Sequence, residues 1–212
     1  MILINPRRTD DSHSGACDHA DVSELTHEAV HALVIVDMQT AFVTGDEAAP
    51  ASEQLLANVR DLLERARQAG ALVVHLQNDG PPGTVDEPGT PGWELFFPVA
   101  DSSREVVIRK RKDDGFDGTP LNEILRQHGV GRLCVVGVMS EMCVLATARG
   151  ALERKFGVVM PHDGHATFDI GPAPGTSEGV PAAMASRVAE WALGDEVEII
   201  AYTTDVEFGP TS

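Results

Sequence analysis

The sequence predicts an α/β fold, a three-layer α/β/α sandwich on a mainly parallel sheet of about six strands, and three observations carry that expectation. Six short runs of aliphatic and β-branched residues recur along the chain. Several are continuously apolar rather than alternating, as strands covered on both faces read. Between them lie segments with a helical apolar period, joined by connections short enough for right-handed β-α-β crossovers, which makes the sheet Rossmann-like. The chain has 212 residues, 42% hydrophobic and 23% charged, enough for one such domain with a full core.

Residues 1–29 are polar and acidic with little periodicity. They read as an N-terminal arm, poorly ordered or draped on a neighbour. Residues 30–212 read as a single domain, with no internal repeat and no linker long enough to divide it. Strands are expected at Ala32–Val36, Ala71–Leu76, Glu105–Ile108, Leu133–Val138, Gly157–Met160 and Val197–Ala201. The first helix is expected over Ser52–Gln68, where Leu55, Leu56, Val59, Leu62, Leu63 and Ala66 form one stripe and Gly70 is placed to cap the end. Thr119-Pro120 reads as an N-cap with proline at the first helical position, opening a helix over Leu121–His128. Cys143–Arg154 is helical in composition, and Pro181–Leu193 opens on proline and stops at Gly194. Two loops are long: Asn78–Pro98, with five prolines and the cluster Trp93-Glu94-Leu95-Phe96-Phe97, and the Gly/Pro-rich His165–Gly179. Long loops at the ends of parallel strands are where such folds build sites.

Sixteen Lys and Arg stand against 33 Asp and Glu, a net charge of −17. That balance argues against nucleic acid and against an anionic membrane surface as partners. No apolar run approaches the ~20 residues needed to span a bilayer. The opening Met1–Arg8 lacks the order of a signal peptide, because its basic pair follows a short apolar stretch. Three cysteines, Cys17, Cys134 and Cys143, fit reduced thiols and a cytoplasmic protein. Neither GxGxxG nor a P-loop occurs, so no dinucleotide or NTP cofactor is expected.

Three features carry chemistry. Asp37 directly follows an apolar strand, at the edge where open α/β sheets bind ligands; capping of the next turn is the plain alternative. Cys143 follows a strand and a short turn and opens a helix. The helix dipole and unpaired N–H groups there lower a thiol pKa and hold a developing oxyanion. The alternative is a small buried hydrophobe, which suits mid-strand Cys134 better. Arg109-Lys110-Arg111-Lys112 ends a third strand. A solvated edge accounts for Arg111 and Lys112, while a lysine turned inward would hold both an aspartate and a cysteine ionised. Aspartate, lysine and cysteine at three strand ends are what thiol-based acyl chemistry requires.

The stretches Ala32–Phe42, Lys110 with Phe116–Leu121, Gly137–Arg149 and Asp163–Thr167 resemble, in order and over roughly residues 30–202, the isochorismatase-like cysteine hydrolases. That superfamily includes nicotinamidases, N-carbamoyl-amino-acid amidohydrolases and isochorismatases. The resemblance implies a triad of Asp37, Lys110 and Cys143, in which Asp37 takes the thiol proton and later activates water. Lys112 is the rival lysine, but the spacing from Lys110 to Phe116 matches the family better. It also implies a cis peptide before Met139 that aims the N–H groups of Met139 and Cys143 at the substrate oxygen. Nicotinamidases hold a metal through an Asp-x-His pair and a further histidine. Residues 44–80 here hold only His75, so no metal is expected. Gly92–Leu95, Ser140–Cys143 and His162–His165 look like the streptothricin hydrolase branch, which opens a cyclic amide.

The function expected is cleavage of a C–N bond in a small amide or lactam through a thioester. Vinyl ether hydrolysis of an isochorismate-like acid and a non-catalytic scaffold are the alternatives. Gln39, Phe42, Trp93, Glu94, Phe116, Glu141 and His165 are the expected substrate-binding residues. Phe42, Trp93 and Phe116 would form apolar walls, and Glu94, Glu141 and the net charge favour a neutral or cationic substrate. His162 lies near His165 and shares its candidacy. The apolar Trp93–Phe97 cluster needs covering, which predicts a homo-oligomer, dimer or tetramer.

Overall fold

A computed structural model describes residues 28–175 and 178–209. The arm expected over residues 1–29, apart from its last two residues, and Cys17 lie outside the described residues. The strands are β1 (Ala32–Val36), β2 (Leu72–Asn78), β3 (Glu105–Lys110), β4 (Arg132–Val138), β5 (Gly157–Pro161), β6 (His165–Ala166) and β7 (Val197–Ile200). They form one sheet in the order β3-β2-β1-β4-β5-β7. Two-residue β6 pairs with the C-terminal end of β4, and every pairing is parallel.

Why the strands read as continuous apolar runs is visible in β1. All five of its residues are buried. Ala32, Val34 and Val36 enter one core layer with Leu121, Leu125, Val144 and Ala148. Leu33 and Ile35 enter the other with Leu55, Val59, Leu62 and Leu63. Both faces are therefore covered by helices. α1 (Thr40–Val43) and α2 (Ser52–Ala69) lie on one side; α3 (Leu121–Gln127) and α4 (Leu145–Glu153) lie on the other. Gly70 ends α2 in the left-handed region at φ +68°, its N–H bonded to the carbonyls of Ala66 and Arg67, as the sequence predicts. α5 (Ala182–Ala192) buries Ala185, Ser186, Ala189 and Glu190 and leaves Met184, Val188 and Trp191 exposed. Among the described residues, no helix is long and apolar enough to cross a membrane.

One expectation changes. The helix expected from Cys143 begins earlier: Ser140–Val144 is a π-helical turn that leads into α4. In an α-helix, residues three apart share a face. The wider turn rotates them apart, so Ser140 faces His165 and Ser186 while Cys143 faces Lys110. The Trp93–Phe97 cluster is partly covered by its own domain. Phe97 is 3% exposed and packs edge-to-face on Phe96, with ring centroids 5.2 Å apart. Backbone bonds from Thr40, Ala41 and Phe96 stitch this loop to the segment after β1. Trp93, Leu95 and Phe96 remain half-buried.

The strand order reverses between β1 and β4, the switch point at which open α/β sheets form their ligand crevices. There β1 and β4 approach closely. A Cβ on Gly137, whose φ is +125°, would lie 2.1 Å from the Val36 carbonyl oxygen. Gly137→Ala is therefore expected to destabilise the protein by more than about 1 kcal/mol in urea denaturation. Gly45→Ala, also at positive φ but with nothing within 4 Å, should cost less.

Candidate active site

Three strand ends meet at the switch point. Asp37 follows β1 directly, at a φ of +49°, in the left-handed region that aspartate tolerates better than most residues. Lys110 is the last residue of β3 and pairs in register with Asn78 of β2. β2 lies between β3 and β1, so two strand spacings, roughly 10 Å, separate their backbones. The long stem of Lys110 bridges that gap. Its Nζ lies 2.7 Å from Asp37 Oδ2 and donates to Cys143 Sγ at 3.2 Å and to the Lys112 carbonyl at 3.1 Å. Exposure is 2% for Asp37, 2% for Lys110 and 7% for Cys143. The Val138–Met139 peptide preceding the turn that carries Cys143 is cis, as the resemblance implies.

These groups fix where charge can sit. Burial pushes the Asp37 carboxyl up from its ordinary value, opposed by Lys110. Burial alone would lower Lys110, but the charges of Asp37 and Cys143 outweigh it and raise it. Burial, then the Asp37 charge, push the Cys143 thiol up, with Lys110 opposing. This corrects the expectation of a lowered thiol: the helix dipole and one cation do not overcome burial beside a carboxylate. The direction of that shift favours the protonated thiol. Transferring that proton to Asp37 moves the anion from oxygen to sulfur, and Lys110 touches both. The buried site holds one cation and one anion before and after. Asp37 Oδ1, buried without a hydrogen-bond partner, is the open acceptor position.

The rest of the basic cluster lies at the rim of a cavity of about 560 Å3 that Lys110 also lines. Arg109 Nε bonds Asp79 at 2.8 Å and its guanidinium lies 5.0 Å from the centre of the Trp93 ring. Arg111 is the most exposed, 3.8 Å from Asp79. Lys112 pairs with Asp117 at 2.8 Å on the surface, so Lys110 rather than Lys112 is the buried lysine.

The residues expected to bind substrate are dispersed. The Gln39 amide is committed to backbone: Nε2 donates to the carbonyls of Asn78 and Trp93, and Oε1 accepts from Asn78 N–H. It is a staple for the loop instead of a free substrate contact. Phe42 packs against the α2-side core. Phe116 is 5% exposed, stacked on Phe156 at 6.1 Å and beneath the Arg154 guanidinium, which places it in the core. Trp93 backs the rim through its Nε1–H to Asp79. Glu94 is exposed, and its carbonyl caps Thr40. Glu141 accepts from Thr167 through Oε1 and leaves Oε2 buried and unpartnered. His165 is buried on the far side of the turn, bonded to Ser140 Oγ and 3.2 Å from Glu190 Oε1. His162 shares Glu190 with it. Met139 is half-buried against the α2-side core.

Sequence reading missed Asp113, whose Oδ1 lies 3.7 Å from Cys143 Sγ; its only signal is its place three residues after Lys110. It also missed Glu190, a carboxylate buried on an otherwise apolar helix face. Among the described residues, no group of three or more His, Cys, Asp or Glu is arranged to hold a metal ion.

Over residues 31–188 the chain matches the isochorismatase domain model. It is 62% identical over 179 residues to a streptothricin hydrolase of Streptomyces noursei, spanning 84% of this chain and 71% of that protein. A ureidoacrylate amidohydrolase RutB of Variovorax paradoxus is 28% identical over 69% of this chain and 72% of its own. The crystal structure of an isochorismatase from Pseudomonas putida KT2440 superposes with a TM-score of 0.74 at 28% identity, covering 83% of this chain and 90% of that one.

Removing one charge of the buried pair strands the other. Lys110→Met is expected to destabilise the protein by roughly 3–5 kcal/mol. Asp37→Asn combined with Lys110→Met should recover most of that in urea denaturation. The Lys112→Met variant, at the surface, should change stability little.

Proposed function

The chain belongs to the isochorismatase family, and on that premise we propose that it is a cysteine-dependent amidohydrolase cleaving a C–N bond of a small, non-peptide amide through a thioester. The observation that carries this reading is the buried Lys110 Nζ in contact with both Asp37 and Cys143. The relatives named as streptothricin hydrolase and ureidoacrylate amidohydrolase support an amide substrate. The first of them favours a cyclic one, with streptothricin a candidate.

In the proposed reaction Cys143 Sγ attacks the amide carbonyl carbon and its proton passes to Asp37. The oxyanion of the tetrahedral intermediate is received by the N–H groups of Met139 and Cys143. The C–N bond breaks as Asp37 returns the proton to the leaving nitrogen, giving a thioester and an amine or ammonia. Water then attacks the thioester while Asp37 takes its proton. The C–S bond breaks, releasing the carboxylic acid and restoring the thiol. Lys110 stays cationic throughout and compensates whichever of Asp37 and Cys143 carries the negative charge.

Linear amides, simple lactams and streptothricin are the substrates to screen, with release of ammonia or amine, or a product heavier by one water for a cyclic amide, as the readout. Cys143→Ala should fold and lose turnover; Asp37→Asn should lower it by at least about a thousandfold. Cys134→Ala should keep most of it, because that thiol lies fully buried in the α2-side core. Wild-type turnover by Cys143→Ala would sink the thioester mechanism.

A further inference from the structure

Several carboxylates around the mouth are paired with cations. Asp37 is neutralised by Lys110, Asp79 by Arg109, and Asp117 by Lys112. Asp114 lies 3.9 Å from Arg154 and accepts from the Phe116 N–H. Asp113 is exposed, and among the described residues no cation lies within ion-pair distance of it. The partner its carboxylate does have is the nucleophile, with Oδ1 3.7 Å from Cys143 Sγ. Its backbone carbonyl accepts from Thr147 Oγ1 at 3.4 Å, which ties the loop to α4 independently of the side chain.

Before the C–S bond forms, the scissile carbonyl carbon must come to about 3–3.5 Å from the sulfur. A carboxylate oxygen as near the sulfur as Asp113 Oδ1 is then within hydrogen-bond reach of groups one or two bonds from that carbon. We propose that Asp113 is a specificity-determining residue that seats a protonated amine, or another cationic N–H donor, adjacent to the scissile carbonyl. The class of substrate it selects is an amide or lactam carrying a positive charge beside the carbonyl. An anion there meets an uncompensated carboxylate, and a neutral group gains no ion pair. This inference rests on the reading of Cys143 as the acylated nucleophile, but its charge preference can be read on the thiol alone.

The test compares modification of Cys143, located by peptide mapping, by two methanethiosulfonate reagents of similar size: the cationic aminoethyl and the anionic sulfonatoethyl derivative. The wild-type protein should favour the cation, and Asp113→Asn should lower the cation-to-anion rate ratio by roughly tenfold. Asp113→Glu should hold the ratio and Asp113→Lys should invert it. Asp195→Asn changes net charge by the same amount at the opposite edge of the sheet and should leave the ratio within about twofold, because intervening solvent screens it. An unchanged ratio in Asp113→Asn, or an equal fall in Asp195→Asn, overturns the proposal. So does an equal slowing with both reagents, which would mark Asp113 as a proton acceptor for the thiol. A second arm measures hydrolysis of alaninamide against propionamide and of ornithine lactam against valerolactam. Asp113→Asn should raise KM for the cationic member of each pair, with little change in kcat. If no amide is turned over while the reagent ratio responds as stated, the amidohydrolase reading fails and the preference of Asp113 for a cation beside Cys143 stands.

Discussion

One ammonium group, buried where three strands end, sets the terms for the site. Lys110 Nζ reaches across β2 to touch the Asp37 carboxylate and the Cys143 sulfur together. A buried cation without a partner is costly, as is a buried carboxylate. Each of the two therefore requires the other, and β1, β2 and β3 must end at heights that allow the contact. The register delivers this: Val36 pairs with Leu76 in β2, and Lys110 pairs with Asn78 two positions further along β2. Lysine is suited to the place because its stem spans the intervening strand and presents a compact charge able to contact two acceptors.

In the proposed reaction the same pairing lets a thiol whose proton is held tightly act as a nucleophile. Burial and the adjacent carboxylate oppose a free thiolate in the resting site. Burial also raises Asp37. Proton transfer between them creates no net charge inside the protein, and the cation that stabilises the product anion is already in contact with it. In that proposed reaction activation is coupled to arrival of the substrate, because the charge formed on sulfur passes directly into the tetrahedral intermediate.

Placing Cys143 beside that pair depends on how the chain leaves β4. Gly137 lets β4 approach the Val36 carbonyl, and the π-helical turn separates the directions of Ser140 and Cys143. Ser140 is tied to His165 and Ser186, and Glu190 lies against His162, His165 and Arg187. That buried polar group anchors the back of the turn to β6 and α5, leaving the sulfur to face the lysine. His165 and Gln39, which sequence reading put against substrate, belong to this class of anchoring residue.

The sequence by itself determined the parallel sheet, its two core layers and the strand-end positions of Asp37, Lys110 and Cys143. Continuous apolar strands such as Ala32–Val36 are incompatible with a half-solvated sheet, and Asp37, Lys110 and Cys143 each stand at a strand end or just after one. Tertiary structure decided what those groups do to one another. A helix dipole and a nearby lysine argue for a lowered thiol when read along the chain, but the burial that raises it comes from residues far away in sequence. The same applies to the aromatic residues: Phe116 looks like a pocket wall until Phe156 and Arg154 are seen to cover it. It applies also to Asp113, which meets the sulfur through a loop closure that no local pattern encodes. Strand periodicity is a local property of the chain, whereas burial, charge pairing and the reach of a side chain are properties of the assembled sheet.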